Sequence, residues 1–286
     1  MCGIAGFHLS QIDGKANSQL LAEALLKEIV VRGKDATGAA WLKKNGDKTE
    51  VWYSKQAVNA NRFIENGGLK EIPNKCRSVI LHTRYATQGH KSNPDNNHPI
   101  IVDGIVGVHN GHIANDKEII SDGAYPRIGE VDSEAIFWQI AKTSHPTEGL
   151  QKIVGTAAVA WLEVDKPKSL HLARCAGSPL VVAQSVHGSV FFASTKPLLE
   201  KALQKCEIYK PEFFEVPEWT YLRISNGKIL DWVDIPHVEK QVPSKHWYAS
   251  PNLPWNPSKA DKQDKWALED AMWESEQAAM RQFGWK

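Results

Sequence analysis

The order of secondary-structure signals along this 286-residue sequence predicts an α+β fold, a sandwich of stacked layers. Two observations carry the prediction. Strand-like runs and helical periodicities follow one another in mixed order, not in the regular βαβ alternation of a parallel sheet. From Gly155 to Phe192 the chain is dominated by short strand signals.

Taken in order, residues 1–10 (Met-Cys-Gly-Ile-Ala-Gly-Phe-His-Leu-Ser) read as a short buried strand with close backbone contacts at its two glycines. Residues 17–32 place Leu20, Leu21, Ala24, Leu25, Ile29 and Val30 at helical spacing, and Gly33 and Asp35 end the pattern. Residues 38–43 and 50–54 read as paired strands around Asn45-Gly46. Val79–Arg84 reads as a buried strand, and Gln88–His98 as a polar loop rich in Asn, Pro and Asp. Ile100–His109 reads as a hairpin around Asp103-Gly104. Asp116–Ser121 and Ser133–Ser144 read as helices, the second with an apolar stripe through Ile136, Phe137 and Ile140. Strands follow at Ala157–Leu162, Leu170–Arg174, Leu180–Gln184 and Ser189–Ala193. Residues 195–205 return to helix, and Tyr221–Ile224 and Lys228–Asp231 to strand. Near Pro236 the character changes: Pro243, Pro251, Pro254 and Pro257 predict an extended connector, and Trp266, Trp273 and Met280 recur every seven residues on a predicted helix over 262–283. The division is therefore residues 2–235 as one domain and 236–286 as a Pro/Trp-rich extension.

Composition excludes several classes. Hydrophobic residues are 42% and charged residues 23%, enough for an ordinary core. The 34 basic and 33 acidic residues leave a net charge of +1, so no electrostatic footprint for nucleic acid exists. No apolar run approaches the ~20 residues of a membrane span. Cys2, Cys76, Cys175 and Cys206 form no C-x-x-C pair, which argues against a zinc knuckle or a disulfide framework and for a reduced, cytoplasmic setting. His82, His90, His98, His109 and His112 lie close in sequence but in no ligand spacing such as H-E-x-x-H, so no metal and no cofactor are expected.

Cys2 directly after Met1 is the first sign of chemistry. Aminopeptidases remove Met before a small residue, which would leave Cys2 with a free α-amino group. Such an amine titrates near ~7.7–8.0 and is a base built beside the thiol, whose own pKa is ~8.5. An amine and a thiol on one residue make a self-contained activated nucleophile.

Around Cys2 the motifs accumulate. Cys2-Gly3-Ile4-Ala5-Gly6 opens the chain, then Arg32-Gly33-Lys34-Asp35-Ala36-Thr37-Gly38. Next are His82-Thr83-Arg84-Tyr85-Ala86-Thr87-Gln88-Gly89, Asn97-His98-Pro99, Val108-His109-Asn110-Gly111 and Asp132-Ser133-Glu134. In this order and spacing the blocks resemble the class II glutamine amidotransferases, whose glutaminase domains are N-terminal nucleophile hydrolases. In detail they are most similar to the glutaminase half of glucosamine-6-phosphate synthase. Ala173-Arg174-Cys175-Ala176-Gly177-Ser178-Pro179-Leu180 resembles a further family segment with one inserted residue. The resemblance covers roughly residues 2–230.

The resemblance implies a four-layer αββα sandwich, two mainly antiparallel sheets between helical layers, with Cys2 at a strand end. It implies hydrolysis of L-glutamine to glutamate and ammonia through a Cys2 thioester. Asn110 and the Gly111 N–H match the positions that stabilise the tetrahedral oxyanion, a charge that needs donors already in place. Arg84 matches the group that grips the substrate carboxylate and Asp132 the one that takes its α-ammonium. Thr87 and Gln88 sit where the family contacts the same end. Arg32 and Asp35 are expected to fix the backbone behind the nucleophile, and His98 to shape the loop over glutamine.

Two departures stand out. Tyr85 and Gln88 occupy positions where the members closest in motif carry Trp and His. The ~50 residues beyond the resemblance are too few for a synthase domain, so ammonia is expected to pass to a separate synthase, with the Trp-rich extension as its docking element. The alternative is a standalone hydrolase of a γ-glutamyl-linked metabolite; a silent scaffold is argued against by Cys2, Arg84, Asn110, Gly111 and Asp132 occurring together.

Overall fold

The computed structural model describes residues 1–12, 17–46 and 48–237. The predicted connector and helix of the Pro/Trp-rich extension lie outside the described residues.

Thirteen strands form two sheets among the described residues. In chain order the strands are β1 (Gly3–His8), β2 (Ala36–Asn45), β3 (Lys48–Gln56), β4 (Ser78–Arg84), β5 (Ile100–Val102), β6 (Ile105–Ile113), β7 (Gly155–Glu163), β8 (Ser169–Arg174), β9 (Val181–Gln184), β10 (Val190–Ala193), β11 (Glu212–Glu215), β12 (Thr220–Ser225) and β13 (Lys228–Asp234). The first sheet runs β11-β9-β10-β1-β4-β2-β3 and the second β13-β12-β8-β7-β6-β5. The strand pairings in both are antiparallel. The helices are α1 (Ser18–Ile29), α2 (Ala60–Glu65), α3 (Asp116–Asp122), α4 (Ser133–Ala141), α5 (Pro146–Leu150) and α6 (Lys196–Lys205).

Three apolar clusters establish four layers. Ile4, Ile80, Val108, Ala158, Leu172 and Phe192 meet between the sheets. On the outer face of the first sheet, Phe7, Val79 and Leu81 pack with Leu21, Leu25 and Ile29 of α1 and Leu199 of α6. On the outer face of the second, Val159 and Trp161 pack with Ile136 and Phe137 of α4 and Leu150 of α5. Side chains alternate across a strand. Both faces of the central strands are covered, so their sequences read as apolar runs with no polar side.

Among the described residues the expected strands are present, as are the helices expected within 17–32, 116–121, 133–144 and 195–205. Helix α4 stops at Ala141, short of the expected Ser144: Lys142 leaves the helical dihedrals at φ −101° and ψ 8°, and Thr143 Oγ1 donates to the Gln139 carbonyl at 2.8 Å. His145 must also be extended ahead of Pro146. Helices α2 and α5 and strand β11 carry no expectation from the sequence. They span 6, 5 and 4 residues, too few to show a period. Asn110-Gly111, a dipeptide that elsewhere signals a hairpin turn, lies inside β6.

Candidate active site

Strand β1 lies in the interior of its sheet, and its register pairs Gly3 with Thr83 of β4. Cys2 is thereby set beside the corner where β4 ends at Arg84. Its Sγ accepts from the Tyr85 N–H at 3.4 Å and lies 3.6 Å from the Tyr85 carbonyl. Burial pushes the Cys2 thiol up, against the pull of the Tyr85 backbone, the Met1 ammonium and Arg84. The resting group is therefore a thiol that requires a base, not a standing thiolate.

Arg32 and Asp35 bracket this corner. Arg32 Nε donates to the Cys2 carbonyl at 2.9 Å. Asp35 Oδ2 accepts from the Ala86 N–H at 2.8 Å, and the Asp35 N–H donates to the Arg84 carbonyl at 2.9 Å. The peptide on each side of the thiol is fixed by one of them.

Arg84 is 3% exposed. Its Nη1 donates to Asn97 Oδ1 at 2.8 Å, and its Nη2 to the carbonyls of Gln88 and of Gly89, the latter at 2.8 Å. Gln88 thus engages Arg84 through backbone. Thr87 is exposed and its side chain has no hydrogen-bond partner among the described residues. Asp132 comes from the other sheet's side, immediately before α4, and is buried. Its Oδ2 accepts from the Ile113 N–H at 2.7 Å and lies 3.3 Å from His112 Nδ1. The Arg84 guanidinium lies within electrostatic reach of Cys2, Asp35 and Asp132.

The geometry of β6 sets the direction of the Gly111 N–H. Beyond Gly107, β6 pairs only with β7. The His109 carbonyl faces away from β7, where His82 Nε2 meets it at 3.1 Å, and the Ile113 N–H faces the same way toward Asp132. Opposite Gly111, the Ala157 carbonyl is taken by the Cys175 N–H from the far side. Alternation by two along an antiparallel strand then turns the Gly111 N–H to the free edge, between these two groups. Gly111 has φ +149°, and a Cβ there would stand 1.9 Å from the Thr156 carbonyl oxygen. Asn110 is buried beside it, and its carboxamide has no partner among the described residues.

His98 is buried with both ring nitrogens unpartnered among the described residues, and its ring centroid is 4.1 Å from that of His82. Burial lowers His98 well below the usual histidine range and His82 to about 3. His98 lies in the space between the sheets, whereas the preceding loop is held by Asn96 and Asn97. Asn97 Nδ2 donates to the Lys91 carbonyl at 2.7 Å, and Asn96 Nδ2 to Glu130 Oε2 at 2.8 Å. No site role was expected of either asparagine. The available signal was local: asparagines flanking Pro94-Asp95 satisfy loop backbone with their side chains. Among the described residues, no group of three or more His, Cys, Asp or Glu is placed to hold a metal.

A family profile described as a glutamine amidotransferase domain matches residues 82–201. The glutamine–fructose-6-phosphate aminotransferase (isomerizing) of Helicobacter pylori is 32% identical over 212 residues, 70% of this chain and 33% of that protein. Its Mesorhizobium japonicum counterpart is 28% identical over 253 residues, 84% of this chain and 38% of that protein. The chain thus spans about a third of the length of these curated relatives. Glutamine phosphoribosylpyrophosphate amidotransferase from B. subtilis superposes with a TM-score of 0.66 at 16% identity, over 82% of this chain and 49% of that one, a likeness of fold. Sequence motifs, layered fold and relatives agree: the chain carries a class II glutamine amidotransferase domain with the N-terminal nucleophile hydrolase fold.

Proposed function

We propose that this domain hydrolyses L-glutamine to glutamate and ammonia, with Cys2 as nucleophile. The observation that supports the reading is that Cys2 lies within electrostatic reach of the buried Arg84 and Asp132, while the free edge of β6 at Gly111 leads to the Ile113 N–H that Asp132 accepts from. With Met1 removed, the Cys2 α-amine takes the thiol proton as sulfur attacks the γ-carboxamide carbon. The tetrahedral oxygen accepts hydrogen bonds from the Asn110 side chain and the Gly111 N–H. Collapse breaks the C–N bond, and the α-ammonium returns its proton to the leaving ammonia. Water then cleaves the thioester, releasing glutamate and restoring the thiol. Arg84 pairs with the substrate carboxylate and Asp132 with its α-ammonium; Thr87 and Gln88 border that end. His98, a buried ring packed on His82, is assigned to anchoring the end of the loop that Asn96 and Asn97 hold.

The ammonia is proposed to serve an amination, in keeping with relatives named as aminotransferases. A separate synthase docking on residues 236–286 is the finer form of this proposal. A cytoplasmic setting belongs to it too, supported by four free cysteines. No described helix is long and apolar enough to cross a membrane.

The test is glutamate release from L-glutamine by protein whose loss of Met1 is verified by mass spectrometry, beside Cys2→Ala. Release that disappears in the variant supports the nucleophile. Equal release from both would exclude Cys2.

A further inference from the structure

We propose, building on the glutaminase reading, that Asn96 is a positioning residue for the amino-acid end of the substrate. It straps the loop that fixes Arg84 to the turn that carries Asp132. These two charges come from different layers: Arg84 ends a strand of the first sheet, and Asp132 precedes a helix packed on the second. A substrate carboxylate and ammonium are separated by fixed covalent geometry, so the spacing of their two partners decides how well both are met.

Asn96 is 0% exposed and spends its whole carboxamide on this link. Its Nδ2 donates to Glu130 Oε2 at 2.8 Å and to the His90 carbonyl at 3.1 Å. Its Oδ1 accepts from the Glu130 N–H at 2.7 Å. On one side the strap reaches the Arg84 guanidinium, because His90 follows Gln88 and Gly89, whose carbonyls hold Arg84. Gly89 also fits the strap's closeness: its φ is +72°, and a Cβ would stand 2.6 Å from Asn96 Nδ2. On the other side, the turn at 128–131 is rigidly tied. Glu134, buried in the first turn of α4, accepts from the Ile128 N–H at 3.0 Å and from the Gly129 N–H. Arg127 Nη2 donates to the carbonyls of Glu130 and Val131 at 3.1 and 3.3 Å. The link therefore runs from Arg84 through the Gln88–His90 backbone and Asn96 to Glu130, two residues before Asp132, in a turn that Glu134 braces at Ile128 and Gly129.

Asn96→Asp tests this without changing size, since it removes both donations and sets a carboxylate against Glu130. KM for L-glutamine should rise about tenfold or more while kcat stays within about threefold, because the strap acts on substrate holding and not on Cys2. Adding Glu130→Gln reverses donor and acceptor across the pair and should recover most of the KM rise. Amide hydrogen exchange should quicken in Asn96→Asp at both 88–91 and 128–131. Should that variant not fold, Glu130→Ala removes the same bond from an exposed residue and should give a smaller rise in KM with the same sparing of kcat. An unchanged KM, a fall in kcat equal to the fall in kcat/KM, or loosening confined to one of the two segments would overturn the strap. Wild-type protein that turns over no glutamine while both segments loosen together in the variant would sink the glutamine reading and leave the strap standing.

Discussion

Arg32 Nε donates to the carbonyl of Cys2 at 2.9 Å, so a residue 30 positions away holds the peptide that follows the nucleophile. A charged donor on a partly buried carbonyl contributes more than a neutral one. Arg32→Gln should keep the fold and lower kcat about ten- to a hundredfold, the effect of losing a hydrogen bond of ~1.5–3 kcal/mol at the reacting residue. Steady-state kinetics with L-glutamine check this. A kcat equal to wild type would show that Cys2 keeps its pose without Arg32.

Asn110 is buried with its carboxamide uncommitted among the described residues, beside an edge toward which the Gly111 N–H is turned. A donor used only when the oxyanion forms acts on the transition state and not on substrate binding. Asn110→Ala should therefore lower kcat by roughly 10²–10³, ~2.7–4 kcal/mol, with little change in KM. A rise in KM with kcat preserved would move Asn110 from the oxyanion to ground-state binding.

Much of this site is legible in the sequence because its chemistry demands particular residue types in particular blocks. Cys2, Arg84, Asn110, Gly111 and Asp132 each stand in a motif, and in the structure Cys2, Arg84 and Asp132 lie within electrostatic reach of one another. The sequence is silent on how they are held. Arg84 depends on Asn97 Oδ1 and two backbone carbonyls, and Asp132 on the Ile113 N–H. Backbone groups carry no residue signature, and an asparagine in a polar loop reads the same whether it faces water or a guanidinium. The same limit applies to the fold. Strands such as β4 show as apolar runs, but the register that sets Gly3 opposite Thr83 is a tertiary fact.

Gly111 adopts φ +149° within a strand, and a Cβ would lie 1.9 Å from the Thr156 carbonyl oxygen, which is rigid backbone. Gly111→Ala must shift β6 away from β7 or distort its own dihedrals. Either route should cost about 2–4 kcal/mol of stability, in the range of backbone-strain substitutions. Thermal unfolding and activity should fall together, because the same shift turns the N–H from its edge. A variant with wild-type melting temperature and activity would show that the strand tolerates a side chain there.

Several histidines are buried without charge, which makes the fold acid-sensitive in a defined direction. Burial lowers His82 and His171 to about 3 and His8 to about 4, each from an ordinary value of 6.5. In the window between those values the unfolded chain binds protons that the folded chain refuses. The proton count is higher in the unfolded state, so stability rises with pH there and is lost as pH falls below ~6.5 toward ~3–4. Each such histidine adds up to about 1.4 kcal/mol per pH unit to that slope. Urea midpoints measured at pH 7.5, 6.0 and 5.0 should fall steadily across the lower two. His171 tests the assignment separately from the active site, since it hydrogen-bonds Tyr221 Oη at 2.9 Å on the outer side of the second sheet. His171→Gln should lower stability at pH 7.5 and flatten its decline between pH 6.0 and 5.0. A slope identical to wild type would mean that His171 is not among the groups whose protonation unfolds the protein.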